Sequence, residues 1–316
     1  MASGYSKRIL GAVAGLWLCC LHAPASAEDL CAPSEATDPQ ALHINGSRPF
    51  VYKTAGGADL RLHVFSPAAH KPGDKSPAAV FFYGGGWLFG DIRRYQAQAT
   101  HLALHGMVTV LVDYRVKCRN ASTIMDSVSD AKSAMRWVRG HAAELGVDTG
   151  RIAAVGSSAG GQMAAATALI ADFDDPADPK IDPRPNALVL YNPGLDMASP
   201  AVVRSLTTMW GKAVADRARD LSPMDHLDHG LPPTIIFQGT GDKIVSPETA
   251  EDFCKRAKAR NSKCEVVLYP GAPHGFTEVW LGLEDASIGA KTEGWQEDTS
   301  RRTDAFLTKL GWLSAQ

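Results

Sequence analysis

An α/β fold, with a mainly parallel central sheet covered by helices on both faces, is predicted by three features of this 316-residue sequence. Short apolar runs recur along the chain, amphipathic segments separate the later ones, and the residues fit for chemistry sit just beyond the ends of the runs. The runs fall at Asp59–Phe65, Ala78–Tyr83, Met107–Tyr114, Arg151–Gly156, Ala187–Asn192, Pro233–Gln238 and Cys264–Tyr269. Runs of that length read as strands, mostly buried on both faces. Between them, Asp126–Leu145 places Val128, Ala131, Ala134, Met135 and Val138 on one helical face. Pro247–Arg260 and Glu293–Leu310 repeat the pattern with charged outer faces. Strands alternating with helices build a parallel sheet with both faces covered. No internal repeat and no long linker divides the chain, so one domain is expected over 28–316. Two stretches carry no clear period, Asp172–Pro185 and Pro193–Leu231, and are expected to fold as a small or minimal lid.

Composition narrows the function classes. Hydrophobic residues make up 45% of the chain, which is ordinary globular usage and excludes disorder and coiled coil. Lys and Arg number 32 against 34 Asp and Glu, a net charge of -2. So balanced a chain has no global electrostatic attraction to nucleic acid or to an anionic membrane. Oligomeric state leaves no mark in the sequence.

Residues 1–27 read as a signal peptide. Lys7 and Arg8 give a positive start, Ile9 to Leu21 form an apolar run too short for a comfortable span, and Ala25-Ser26-Ala27 offers a cleavage site. An exported, periplasmic or secreted protein is therefore expected, with no membrane attachment after cleavage. Export places Cys31, Cys118, Cys254 and Cys264 in an oxidising compartment, where four thiols allow three pairings. Cys254 and Cys264 straddle a short polar turn, so their local closure is favoured, leaving Cys31 for Cys118; buried free thiols are the alternative. None has C-x-x-C spacing, so no metal site is expected.

The strand Arg151–Gly156 runs into Gly156-Ser157-Ser158-Ala159-Gly160 and then a helical segment. Strand, G-x-S-x-G and helix in that order form a nucleophile elbow, with Ser158 as nucleophile and Ser157 turned away. A serine needs a base, and the base needs an orienting acid. Of ten His, His274 lies in the loop Pro270–Phe276 after the last strand, where a base is needed; His226 and His229 are its rivals. Asp242 follows a buried strand directly and is the expected acid, with Asp196 one strand earlier as rival. Glycines at 84–86 let main-chain N–H groups converge on an oxyanion, so Gly85, Gly86 and Ala159 are the expected donors. Trp87, next in the chain, is expected at the pocket mouth, its indole against substrate; packing of the loop onto the sheet is the alternative.

From about Val51 to Trp312 the chain resembles the α/β-hydrolase superfamily, through the Gly84-Gly85-Gly86-Trp87 loop, Gly156–Gly161, Gly239-Thr240-Gly241-Asp242 and Pro273-His274-Gly275-Phe276 in order. Within it, the chain is similar to the hormone-sensitive-lipase-like group and to acetylxylan/feruloyl-type carbohydrate esterases. Tyr83 stands where the lipase-like group has His before the glycines. The resemblance implies two-step acyl transfer from a carboxylic ester by Ser158, His274 and Asp242, without metal or organic cofactor, on a small-molecule or polysaccharide ester. Acetyl or feruloyl groups on xylan are the implied substrate. A general short-chain carboxylesterase, a peptidase or amidase of the same fold, and an inactive binding module remain the alternatives.

Overall fold

A computed structural model describes Cys31, residues 43–277 and residues 286–314, with side chains of the last stretch described from Gly294 onward. The expected signal peptide lies outside the described residues.

Eight strands form one sheet: β1 (Arg48–Ala55), β2 (Ala58–Phe65), β3 (Ser76–Phe82), β4 (Val108–Val112), β5 (Val147–Ser157), β6 (Ala187–Tyr191), β7 (Thr234–Gly239) and β8 (Cys264–Tyr269). Their spatial order is β1-β2-β4-β3-β5-β6-β7-β8. From β4 to β8 every pairing is parallel, and β1 and β2 are added antiparallel. The predicted sheet lacked β1. Its residues alternate between exposed and half-buried, as an edge strand does, and so present no apolar run. The central strands β4 and β6 are buried at every residue, which is why unbroken apolar sequence marked them.

Helices α1 (Gln96–Leu104), α2 (Ile124–Gly140), α3 (Ala159–Leu169), α4 (Pro200–Trp210), α5 (Pro247–Ala259) and α6 (Ala286–Lys309) are the longer ones. Helix α2 starts at a reciprocal cap, with Thr123 Oγ1 accepting from the Asp126 N–H and Asp126 returning the bond to the Thr123 N–H. The single helix expected over Asp126–Leu145 ends instead at Gly140, and a separate turn, Ala142–Leu145, is closed by Gly146 at φ 62°.

The two stretches without period differ. Residues 172–185 form no helix or strand, and they are held to α2 by buried cations. Residues 193–231 contain α4, a turn of helix at Lys212–Ala215 and a 3-10 segment at Pro223–His229. Pro200 opens α4, where its missing N–H costs nothing. Only Leu206 of α4 is fully buried, so the helix gives too thin an apolar stripe to stand out in sequence. Among the described residues no helix is long and apolar enough to cross a membrane.

Candidate active site

The parallel strands deliver their C-terminal ends to one edge of the sheet, and the site lies there. Strand β5 ends at Ser157 and α3 begins at Ala159, leaving Ser158 alone to reverse the chain at φ 53°, ψ -118°. A non-glycine residue at positive φ is strained, and the surrounding bonds hold it there. The Ser158 N–H donates to the Tyr191 carbonyl at 3.0 Å, and the Ser158 carbonyl accepts from Gln162 at 3.0 Å and Gly194 at 3.2 Å. The flanking glycines are needed for close approach. A Cβ on Gly156 would meet the Gly160 carbonyl at 2.2 Å, and one on Gly160 would meet the Phe82 carbonyl at 2.0 Å.

His274 and Asp242 arrive on loops that are bonded to each other. Gly241 donates to the Ala272 carbonyl at 3.0 Å, Thr240 to that of Tyr269 at 3.0 Å, and Gly271 to Thr240 Oγ1 at 2.8 Å. His274 Nε2 lies 2.9 Å from Ser158 Oγ, and its Nδ1 lies 2.8 Å from Asp242 Oδ2. The carboxylate is wholly shielded from solvent and the imidazole nearly so. Asp242 Oδ1 accepts from the N–H groups of Ile244 at 2.8 Å and Val245 at 2.9 Å. A carboxylate accepts only, so Nδ1 carries the proton and Nε2 presents a lone pair to the serine hydroxyl. The rivals stand elsewhere. Asp196 caps its own turn through the Ala198 N–H, and His226 and His229 bond the carbonyls of Asp220 and Leu169.

The glycine loop after β3 faces the same point. Gly85 accepts from Leu88 at 3.1 Å and Phe89 at 3.3 Å, closing a turn that fits only glycine, since a Cβ would fall 1.9 Å from the Phe89 carbonyl. Among the described residues the N–H groups of Gly85, Gly86 and Ala159 enter no hydrogen bond. Free amides at a helix start and a glycine turn are suited to an anionic oxygen. Tyr83 braces this loop from below. Its hydroxyl lies 3.2 Å from both Asp113 Oδ1 and the Tyr114 carbonyl, and its ring stacks on Tyr114 at 4.1 Å. Burial raises the Tyr83 phenol far above its ordinary pKa, so it stays a neutral donor.

Trp87 departs from its expected place. It is 7% exposed, at φ 58°, and its indole N–H donates inward to Gln162 Oε1 at 3.3 Å. Gln162 in turn donates to the Leu221 carbonyl at 2.8 Å, so the indole ties the glycine loop to α3 and, through it, to the 193–231 segment. Neither the left-handed backbone at Trp87 nor the inward bond of its ring is revealed by spacing alone. The cysteines are joined as Cys31–Cys118 and Cys254–Cys264. The first bond bears on the site, because Lys117 and Cys118 donate to the carbonyls of Trp87 and Leu88 at 2.9 and 3.0 Å.

Two side chains at the site carried no sequence signal. Asn192, at φ 37° just past β6, is buried, with Nδ2 3.2 Å from Ser157 Oγ and 3.5 Å from His274 Nε2. Gln238 in β7 donates from Nε2 to Asp242 Oδ2 at 3.0 Å. Among the described residues no three His, Cys, Asp or Glu converge as metal ligands.

A family model described as alpha/beta hydrolase fold matches residues 79–278. Esterase LipC of Mycobacterium tuberculosis is 28% identical over 223 residues, covering 65% of this chain and 54% of its own. Carboxylesterase NlhH of the same organism is 28% identical over 261 residues, covering 73% and 76%. The chain spans a little over half the length of the first curated relatives it matches. Esterase 2 of Thermogutta terrifontis, in its apo form, is 38% identical, with 87% of this chain and 98% of that one superposed at a TM-score of 0.77. The same esterase has been solved with propionate bound, with butyrate bound and phosphorylated by paraoxon.

Proposed function

This chain belongs to the alpha/beta hydrolase fold family, and from that premise we propose that it is a serine carboxylesterase acting on short-chain carboxylic esters. The observation that carries the reading is the relay itself, Ser158 Oγ to His274 Nε2 at 2.9 Å and His274 Nδ1 to Asp242 Oδ2 at 2.8 Å, beside three unengaged amides.

Ser158 Oγ attacks the ester carbonyl carbon and its proton passes to His274 Nε2. Asp242 holds the imidazolium by Nδ1–H, and the N–H groups of Gly85, Gly86 and Ala159 take the oxyanion. The intermediate collapses, the alkoxide leaves with the proton from His274, and an acyl group remains on Ser158. Water then attacks the acyl carbon, giving its proton to His274, and the carboxylic acid departs as Ser158 regains its own. The esterases among the relatives, and propionate and butyrate bound to esterase 2, support small acyl groups. The narrower substrate is an acetyl or feruloyl ester on plant xylan. With Trp87 facing inward, that choice rests on the resemblance to carbohydrate esterases. Export after cleavage of residues 1–27 belongs to the same reading, supported by two disulfides, which persist in oxidising compartments.

A substrate panel tests it. Purified protein is expected to turn over p-nitrophenyl acetate and butyrate, to lose kcat/KM steeply by octanoate, and to be phosphorylated on Ser158 by paraoxon. Each CH₂ that found a deep apolar tunnel would add about 0.8 kcal/mol of binding, so activity rising towards dodecanoate overturns the short-chain reading. Release of acetate from acetylated xylan, or of ferulate from arabinoxylan, decides the narrower substrate; turnover of simple esters without either refutes it.

A further inference from the structure

Gln238 is the fifth residue of β7 and is wholly buried. A carboxamide in a strand interior must find partners for both ends, and this one satisfies only one. Its NH₂ faces Asp242 Oδ2 at 3.0 Å, the Val245 carbonyl at 3.2 Å and the Gly239 carbonyl at 3.3 Å. Its Oε1 is buried without a partner. The orientation is dictated by chemistry, because a carboxylate and two carbonyls only accept and the NH₂ end must meet them. Met or Leu would fill this space with no orphaned oxygen, so packing does not account for an amide here.

The carboxylate of Asp242 accounts for it. Oδ1 takes the two main-chain N–H groups of Ile244 and Val245, while Oδ2 takes His274 Nδ1–H and the Gln238 amide. All four acceptor positions are thereby used. Among the described residues Gln238 is the one side-chain donor that shares an oxygen with His274. Resting on the reading of Ser158, His274 and Asp242 as a catalytic relay, we propose that Gln238 is a positioning residue. It holds Asp242 Oδ2 on the His274 Nδ1–H, keeping Nε2 unprotonated and aimed at Ser158. Without it, Oδ2 swings away from the imidazole, and the base loses its orientation while the substrate pocket is untouched.

The test compares Gln238→Met and Gln238→Glu in the wild-type and Asp242→Ala backgrounds. With p-nitrophenyl butyrate, Gln238→Met should lower kcat about 10- to 100-fold, the size of one charge-assisted hydrogen bond, with KM within about twofold. Gln238→Glu keeps the shape but sets a second acid against Asp242, and kcat should fall at least as far. In the Asp242→Ala background, Gln238→Met should cost nothing further, since a residue acting through Asp242 has nothing left to act on. The low-field proton resonance of His274 Nδ1–H is read on the free protein and needs no substrate. It should be sharp in the wild type, absent in Asp242→Ala, and shifted or broadened in both Gln238 variants. An unchanged kcat, an unchanged resonance, or the same loss repeated in the Asp242→Ala background overturns the proposal. If the wild type turns over no ester, the esterase reading fails, and the resonance still decides the role of Gln238.

Discussion

Helix α3 starts directly after Ser158, which is forced to φ 53°, and ends about 16 Å away at eleven residues of 1.5 Å each, where Lys132 donates to three carbonyls. Lys132 is 1% exposed, and its Nζ reaches the carbonyls of Ile170, Ala171 and Asp172 at 3.0, 3.0 and 2.7 Å, with Asp174 beside it. Arg136 bonds Asp174 at 2.7 Å, Asp178 at 3.1 Å and the Ile181 carbonyl at 2.9 Å. Lys53 joins Asp130 at 3.0 Å and Asp175 at 2.7 Å. At this end buried cations are met by several oxygens each. At the other, the structure tolerates a strained serine, three idle amides and the orphaned oxygens of Asn192 and Gln238. The three amides that must meet the substrate's oxyanion stay unsatisfied in the free protein, and the far end of the same helix holds the element rigid.

The largest effect is expected at the nucleophile. Ser158→Ala should lower kcat by at least about four orders of magnitude with an unaltered melting temperature; comparable loss of fold would show that the catalytic end is also structural. Next comes the acid. Asp242→Asn should cost somewhat less, about three to four orders, because the imidazole tautomer is lost, whereas Asp196→Asn, which touches only its own turn, should be mild. Steady-state kinetics on both variants decide this, and a crippling Asp196→Asn would reassign the acid.

At the far end the expected effect moves from rate to stability. Lys132→Met leaves three carbonyls without their cation and Asp174 with Arg136 alone, and should cost about 3 kcal/mol in urea unfolding, with kcat/KM of the folded fraction within about twofold. A rate loss equal to that of an active-site variant would mean the two ends are coupled. Removing Cys254–Cys264, which closes a loop of sequence separation 10, should cost about 2–3 kcal/mol. Intact mass before and after reduction should differ by four hydrogens, for two disulfides. Four thiols alkylated without reductant would contradict both bonds.

A pH-dependent effect lies on β2, away from either end. Burial pulls the His63 pKa down to about 4 from 6.5. The unfolded chain therefore takes up this proton first, so the stability contributed by neutral His63 is present above pH 6.5 and is lost as pH falls towards 4. His63→Gln should flatten that part of the stability–pH curve, and an unchanged slope would remove His63 as its cause.

Much of the site was legible because its geometry is local. A G-x-S-x-G run between strand and helix forces one backbone reversal, and the close contacts of Gly156 and Gly160 show why other residues do not serve. The loop positions of His274 and Asp242 follow from strand order, which brings the ends of β7 and β8 side by side. Helix α4 was not legible, since one fully buried residue makes no period.

By itself, the sequence determined the alternation of strands and helices, the order of serine, acid and base, and the glycines that leave amides free. Each depends on spacing along the chain or on a backbone conformation that few residue types permit. The tertiary structure alone decided that Trp87 turns inward onto Gln162, that β1 and β2 run antiparallel at the edge, and that Gln238 and Asn192 reach the relay. Trp87 meets Gln162 across 75 positions and Asn192 meets His274 across 82, while Gln238, only four positions from Asp242, reaches it because of the way its side chain points from β7. Neither hydrophobic period nor residue propensity records such meetings, because both describe a residue's own neighbours and not the partner the fold brings to it.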